Sequence, residues 1–267
     1  MELPIYQVDA FTSRMFGGNP AAIVPLEGSW LPDQTLQSIA AENNLAETAY
    51  FIARDGGRYD LRWFTPAREI DLCGHATLAS AFVIFRHLQP DLEKAVFDTK
   101  SGELVVTRVS GSEGLLSMDF PSRPPEPCAV DSRLKQALGG RPRHVLAARD
   151  YMVVYDSEEE VRALDPDYRE LKKMDRFAVI ATAPGKSVDF VSRFFAPAAG
   201  IDEDPVTGSA HCTLIPYWAE KLGKTEMTAL QVSPRVGELW CTLQPGGQRV
   251  GIAGHAVEYL RGSIFVD

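Results

Sequence analysis

A lone carboxylate in an apolar run is the first feature of this chain that suggests chemistry. Glu47 lies in Leu45-Ala46-Glu47-Thr48-Ala49-Tyr50-Phe51. A carboxyl group stripped of water in such a run is suited to shuttling a proton. A strand residue pointing to solvent accounts for the same pattern equally well. His75 follows Cys73-Gly74 in the first turn of a predicted helix, where it can donate to a substrate or move a proton. Taken alone, it is explained more simply as a capping or packing histidine. Asp204 and Ser209 flank a second predicted helix start, in Asp202-Glu203-Asp204-Pro205-Val206-Thr207-Gly208-Ser209, and plain N-capping accounts for both. Cys73 beside His75 has the makings of a nucleophile. The matching place later in the chain holds Pro205 or Val206, which argues against a two-thiol racemase. Asp202, Asp204, His211 and Cys212 share one segment, but adjacent helical residues face different directions, and this disfavours a metal there.

The elements that must position these residues follow from periodicity. Ile5 to Phe11 alternates as a strand, Gly17-Gly18-Asn19-Pro20 marks a turn, and Ala21 to Val24 is a short strand. Leu31 to Asn43 has helical spacing. Thr48–Ile52 and Tyr59–Phe64 are strands. Ala76 to Phe85 is apolar almost all round, the pattern of a helix buried on every side. Two hairpins follow, turning near Ser101-Gly102 and Ser110-Gly111. Beyond the midpoint the spacing predicts a short helix at Leu134–Leu138. Strands follow near His144–Ala147, Tyr151–Tyr155, Ala178–Thr182 and Phe190–Phe195. A helix then runs from Ser209 to Leu222 and stops at Gly223. A hairpin at Pro245-Gly246-Gly247 and a strand ending at Val266 complete the chain.

The segment Arg62-Trp63-Phe64-Thr65-Pro66-Ala67-Arg68-Glu69-Ile70-Asp71 returns as Arg193-Phe194-Phe195-Ala196-Pro197-Ala198-Ala199-Gly200-Ile201-Asp202, with six of ten positions identical. Each copy leads through a Gly-containing turn into an apolar helix. Pro121 to Pro127, with four prolines, lies between the copies and reads as a stiff connection. The expectation is two similar domains, 1–120 and 128–256, joined by a linker at 121–127, with a last strand at 257–267 that returns to the first. Two such domains form a cleft, where ligands bind preferentially. If a pseudo-twofold relates them, two helix N-termini face one small anion.

Composition narrows the function classes. The chain has 267 residues, 45% hydrophobic and 24% charged, with a net charge of −9. It can build a core, and its charge disfavours nucleic acid or an anionic membrane as partner. No apolar run reaches a membrane span, and no leader-like segment opens the sequence, so a cytoplasmic protein is expected. The four cysteines are spread too widely for a disulfide framework or a zinc knuckle. Gly185-Lys186-Ser187 fails as a phosphate loop because Ile180 stands where a glycine is needed. No dinucleotide fingerprint or serine-hydrolase elbow occurs.

Read together, these motifs resemble the phenazine-biosynthesis-like (PhzF) family of isomerases, within the diaminopimelate epimerase-like superfamily. The matching pieces are Val8-Asp9-Ala10-Phe11, Gly18-Asn19-Pro20-Ala21, Asn44-Leu45-Ala46-Glu47-Thr48-Ala49, Arg62-Trp63-Phe64-Thr65-Pro66, Leu72-Cys73-Gly74-His75-Ala76-Thr77 and Glu203-Asp204-Pro205-Val206-Thr207-Gly208-Ser209-Ala210. They span nearly the whole chain. The resemblance implies an α+β fold of two similar domains, each a curved mixed β-sheet wrapped around a central α-helix. It also implies a homodimer and neither cofactor nor metal. Its characterised reaction is isomerisation of trans-2,3-dihydro-3-hydroxyanthranilate, in which a glutamate takes a proton from C3 and returns it to C1. By that likeness Glu47, His75 and Asp204 are catalytic. Asn19, Gly74, Thr207, Gly208 and Ser209 bind a small cyclic or amino acid-like carboxylate. An epimerase or racemase of the same fold, and a non-catalytic binding or regulatory protein, are the alternatives.

Overall fold

Alternation along the first strands decides which side chains face which helix. The computed structural model describes residues 1–129 and 132–267. They form two units: residues 1–119 with 253–267, and residues 120–252. The first contains β1 (Glu2–Ala10), β2 (Asn19–Leu26), α1 (Asp33–Asn43), β3 (Glu47–Ala53), β4 (Arg58–Phe64), β5 (Glu69–Ile70), α2 (Gly74–Val83), β6 (Lys94–Thr99), β7 (Gly102–Arg108) and most of β8 (Leu116–Pro121). Ala22, Val24, Tyr50, Ile52 and Phe64 pack with Leu36, Ile39 and Ala40 of α1. Strand side chains alternate between faces, so Asn19, Ala21 and Ile23 of β2 and Glu47, Ala49 and Phe51 of β3 lie on the opposite face. Helix α2 covers that face and is buried on nearly every side. Its small residues let the strands approach, and its hydroxyls bond backward within the helix: Thr77 to the Cys73 carbonyl at 2.6 Å and Ser80 to that of Ala76 at 2.7 Å.

The second unit contains β9 (Glu126–Pro127), α3 (Ser132–Leu138), β10 (His144–Ala147), β11 (Tyr151–Val154), α4 (Glu158–Arg162), α5 (Tyr168–Leu171), β12 (Val179–Pro184), β13 (Phe190–Ala196), β14 (Ile201–Asp204), α6 (Gly208–Leu222), β15 (Glu226–Gln231), β16 (Gly237–Leu243) and most of β17 (Arg249–Gly254). The last strand, β18 (Ala256–Phe265), belongs to the first unit and pairs antiparallel along all of β1, from Glu2 opposite Phe265 to Ala10 opposite Ala256. The proline-rich segment, expected as a stiff linker, takes part in the sheet. It lies within the second unit, and Glu126–Pro127 pairs with Leu146–Ala147.

The two units repeat one pairing scheme. In the first, β1–β2 is antiparallel, β2–β3 parallel, β3–β4 antiparallel, β4–β6 parallel and β6–β7 antiparallel. In the second, β10–β11, β11–β12, β12–β13, β13–β15 and β15–β16 follow the same order. The Arg of each repeated segment makes the same bond. Arg62 forks onto Glu69 at 2.7 and 2.9 Å, and Arg193 onto Glu203 at 2.7 and 2.8 Å.

The central helix of the second unit is α6. Gly223 ends it in the left-handed conformation (φ 66°), and Trp218 stacks on Phe190 while donating to Thr182 Oγ1 at 3.0 Å. His211 is fully buried on this helix, and burial pulls its pKa down to about 4. It is therefore neutral in the fold at pH 7 and takes up its proton later than the unfolded chain does. Its contribution to stability is complete above about pH 6.5 and is lost progressively down to about pH 4, roughly 3 kcal/mol in all. We expect His211→Gln to flatten this acid limb. Urea midpoints of the two proteins at pH 7 and pH 4.5 check it; equal acid losses refute it. Among the described residues, no helix is long and apolar enough to cross a membrane.

Candidate functional site

The first unit gathers four of the residues singled out above. Asn19 opens β2 and Glu47 opens β3, two parallel neighbours with Ala21 opposite Glu47. Alternation turns both side chains toward α2, whose first turn carries His75. Cys73 precedes that helix in extended conformation and makes no side-chain cap. Asn19 Nδ2 is 3.2 Å from His75 Nδ1, Cys73 Sγ is 3.5 Å from the same nitrogen, and Glu47 Oε2 is 3.1 Å from His75 Nε2. All four side chains are buried. Glu47 thus faces inward, not to solvent, and His75 contacts chemistry-bearing groups instead of capping its helix.

The electrostatics follow from this crowding. Burial alone would lower the pKa of His75. The Cys73 sulfur and the Glu47 carboxylate reverse the sign and hold it well above the ordinary histidine value. Burial, with the nearby Glu47 charge, pushes the Cys73 thiol up to about 11, which disfavours a nucleophilic thiolate. The Asn19 amide presents its NH2 to Nδ1, which suits a neutral ring with its proton on Nε2, toward Glu47. Turning that amide over presents its oxygen instead and suits the imidazolium. One side-chain rotation therefore accommodates both protonation states.

Gly18 holds Asn19 in place. Its φ is +59°, and a Cβ there would lie 2.1 Å from the Ala10 carbonyl oxygen. Gly18→Ala must strain the turn or push β2 away from β1, at a cost of about 1–3 kcal/mol. The expected result is a lower thermal midpoint together with altered histidine NMR shifts at His75. An unchanged midpoint would show that the turn relaxes freely.

The second unit brings together Asp204, Thr207 and Ser209, but differently from the capping expectation. Thr207, not Asp204 or Ser209, occupies the cap position of α6, and its side chain does not cap. Its hydroxyl donates to Asp204 Oδ2, and its N–H donates to Gln231 Oε1 at 2.8 Å. Gln231 Nε2 in turn donates to the Asp204 carbonyl at 2.7 Å. Ser209 Oγ accepts from Arg149 Nη2 at 3.2 Å, while Arg149 forks onto the buried Asp150. Gly208 begins the helix and lies at its positive end. Gly237 leaves room for this loop, since a Cβ there would lie 2.2 Å from Val206. Sequence reading missed Arg149, Asp150 and Gln231; nothing in a turn residue pair or a strand-end glutamine marks them. His211 Nδ1 lies 2.9 Å from the Thr207 carbonyl oxygen, inside the helix. Among the described residues, the group of metal-capable donors that lie together is Glu47, Cys73 and His75, in the first unit.

The repeat is chemically one-sided. Phe64 pairs with Thr48, and its counterpart Phe195 pairs with Val179. The position equivalent to Glu47 is therefore Ala178, and His75 corresponds to Ser209. The first unit alone carries the carboxylate–imidazole pair.

Residues 8–262 match the model of the PhzC-PhzF family, described as phenazine biosynthesis-like protein. An uncharacterized isomerase of Pseudomonas aeruginosa is 51% identical over 264 residues, covering 99% of each chain. The crystal structure of a PhzF-family phenazine biosynthesis protein from Enterococcus faecalis superimposes with a TM-score of 0.95 at 46% identity, covering 100% of both chains. A probable proline racemase from Agrobacterium radiobacter shares the fold with a TM-score of 0.66 at 10% identity, over 99% of this chain and 93% of that one.

Proposed function

The chain belongs to the phenazine biosynthesis-like (PhzC-PhzF) family of isomerase and epimerase enzymes, and from that premise we propose that it moves a proton within a small cyclic or amino acid-like carboxylate, with Glu47 as the carrier. The observation that carries this reading is the buried contact of Glu47 Oε2 with His75 Nε2 at 3.1 Å, in a unit whose repeat holds no equivalent pair. Glu47 takes a proton from one carbon as the double bond shifts and returns it to another on the same face. Nothing is oxidised or reduced, so the balance requires no redox cofactor. His75 donates to the charge that develops, and Asn19 orients its ring. The N–H groups at Gly74 offer the substrate carboxylate the positive end of α2. In the second unit, Asp204, Thr207, Gly208 and Ser209 are proposed to hold polar groups of the substrate.

Epimerisation with Cys73 as a second proton carrier is the other reading. It is supported by the thiol's place beside His75 and weakened by its pKa of about 11. Proton NMR in D₂O with trans-2,3-dihydro-3-hydroxyanthranilate separates the two. Deuterium entering a new carbon as the double bond moves supports the isomerase. Exchange at one stereocentre with inversion supports the epimerase. No reaction removes this substrate and sends the search to other small carboxylates.

A further inference from the structure

Cys73 plays no part in the shuttle just described, yet it stands at the point where three donor side chains converge. Cys73 Sγ, a His75 ring nitrogen and a Glu47 carboxylate oxygen all lie within 4.8 Å of one another. The three residues are 6%, 4% and 5% exposed. A second observation points to a ligand: Glu47 Oε2 is buried without a hydrogen-bond partner, 3.1 Å from His75 Nε2.

We propose that Glu47, Cys73 and His75 form a binding site for one zinc-class divalent cation, with the fourth coordination position open. The donor set is chemically apt, since thiolate, imidazole and carboxylate are the three ordinary protein ligands of zinc. Oxygen-seeking cations such as magnesium would not choose a thiol. Coordination through Nε2 requires the His75 ring to turn, since the Cys73 sulfur now lies closer to Nδ1, at 3.5 Å, than to Nε2. Ordinary zinc bond lengths in a tetrahedron place neighbouring ligand atoms about 3.4–3.6 Å apart. His75 Nε2 lies 3.1 Å from Glu47 Oε2 and 4.0 Å from Cys73 Sγ. The cation would push the first pair slightly apart and draw the second slightly together.

The surroundings suit a bound cation. Coordination through Nε2 leaves Nδ1–H to be satisfied, and the Asn19 amide, turned oxygen-first, accepts it; metal-binding histidines usually have such an outer partner. The thiol gives up its proton to solvent on coordination, and no electrons move. One dication held by one thiolate and one carboxylate leaves the pocket without net charge, the condition a buried site tolerates best. The site escapes sequence inspection because Cys73 and His75 are two residues apart and the third donor comes from a neighbouring strand. Its occupancy would withdraw Glu47 from proton transfer, making the cation a reversible inhibitor. The metal site itself does not depend on the isomerase reading.

The test is a titration of the metal-free full chain with cobalt(II), following the thiolate-to-cobalt charge-transfer absorption. The expected result is one equivalent bound and displaced by zinc, with the band absent in Cys73→Ser and present in Cys128→Ser. At least tenfold weaker binding is expected in His75→Gln. No thiolate band in the wild type, or a band that survives in Cys73→Ser, overturns the proposal. X-ray absorption of the zinc-loaded wild type gives a readout independent of any variant. One sulfur among nitrogen and oxygen neighbours supports the site, and an all-oxygen shell refutes it.

Discussion

Glu47→Gln is expected to lower kcat by about 10²–10⁴-fold, the usual contribution of a positioned general acid–base group, while ligand affinity stays unchanged. Glutamine keeps the shape at the start of β3 and the contact with His75 but cannot accept a proton from carbon. The loss should therefore appear in turnover and in deuterium incorporation, not in calorimetric binding of the substrate. Its effect on the neighbouring imidazole has a definite sign. Removing the carboxylate takes away part of what holds His75 above its ordinary value, so the ring should titrate at lower pH in the variant, which NMR can follow. A variant that retained near wild-type turnover would eliminate Glu47 as the carrier, whatever the family to which the chain belongs.

Arg193→Ala is expected to cost about 3–5 kcal/mol of stability, the range for breaking a buried ion pair by removing one partner. Arg193 is 8% exposed and forks onto Glu203. It also donates through Nη1 to the carbonyls of Leu164 at 2.7 Å and Val161 at 3.2 Å, which closes the end of α4. Alanine leaves the Glu203 carboxylate without its partner and takes the guanidinium donor away from these carbonyls. Lysine should not rescue it, because a single ammonium cannot span both carboxylate oxygens and the helix end. The repeat supplies an internal comparison. Arg62 makes the same fork onto Glu69, but its other partner is the exposed Asp33 instead of buried carbonyls, so Arg62→Ala should cost less. Urea denaturation of the three variants measures the ranking. A loss below about 1 kcal/mol for Arg193→Ala, typical of exposed pairs, would sink the argument.

Much of this was legible from residue pattern. The all-round apolar run at Ala76–Phe85 could only be a buried helix, and α2 is one. The glycine stop at Gly223 and the strand from Thr48 to Ile52 read directly, because each depends on local physics. The decamer repeat marked a duplication, and its Arg led to a matching ion pair in both units. What sequence could not show was nonlocal. Nothing near Arg149 or Gln231 announces that they meet Ser209 and Thr207, since only the chain's return through β11 and β15 brings them there. The short helix α4 did have a signal, Ser157 followed by Glu160. There the serine oxygen accepts from the Glu160 N–H at 3.3 Å, a capping pattern easily passed over before so short a helix. The metal-capable donors that meet are Glu47, Cys73 and His75, which no sequence spacing groups together because Glu47 comes from a separate strand.

The pairing of β18 with β1 has a consequence for how the protein is made. The second unit is one continuous stretch, and every strand it needs has emerged by the time β17 is translated. The first unit has nearly all its residues much earlier, yet β1 keeps an open edge until residues 256–265 appear, after the whole of the other unit. Synthesis order and completion order are thus inverted. The half that carries Glu47 and His75 starts first and finishes last, and its exposed edge is the nascent chain's standing opportunity for misassociation with a neighbour on the same messenger.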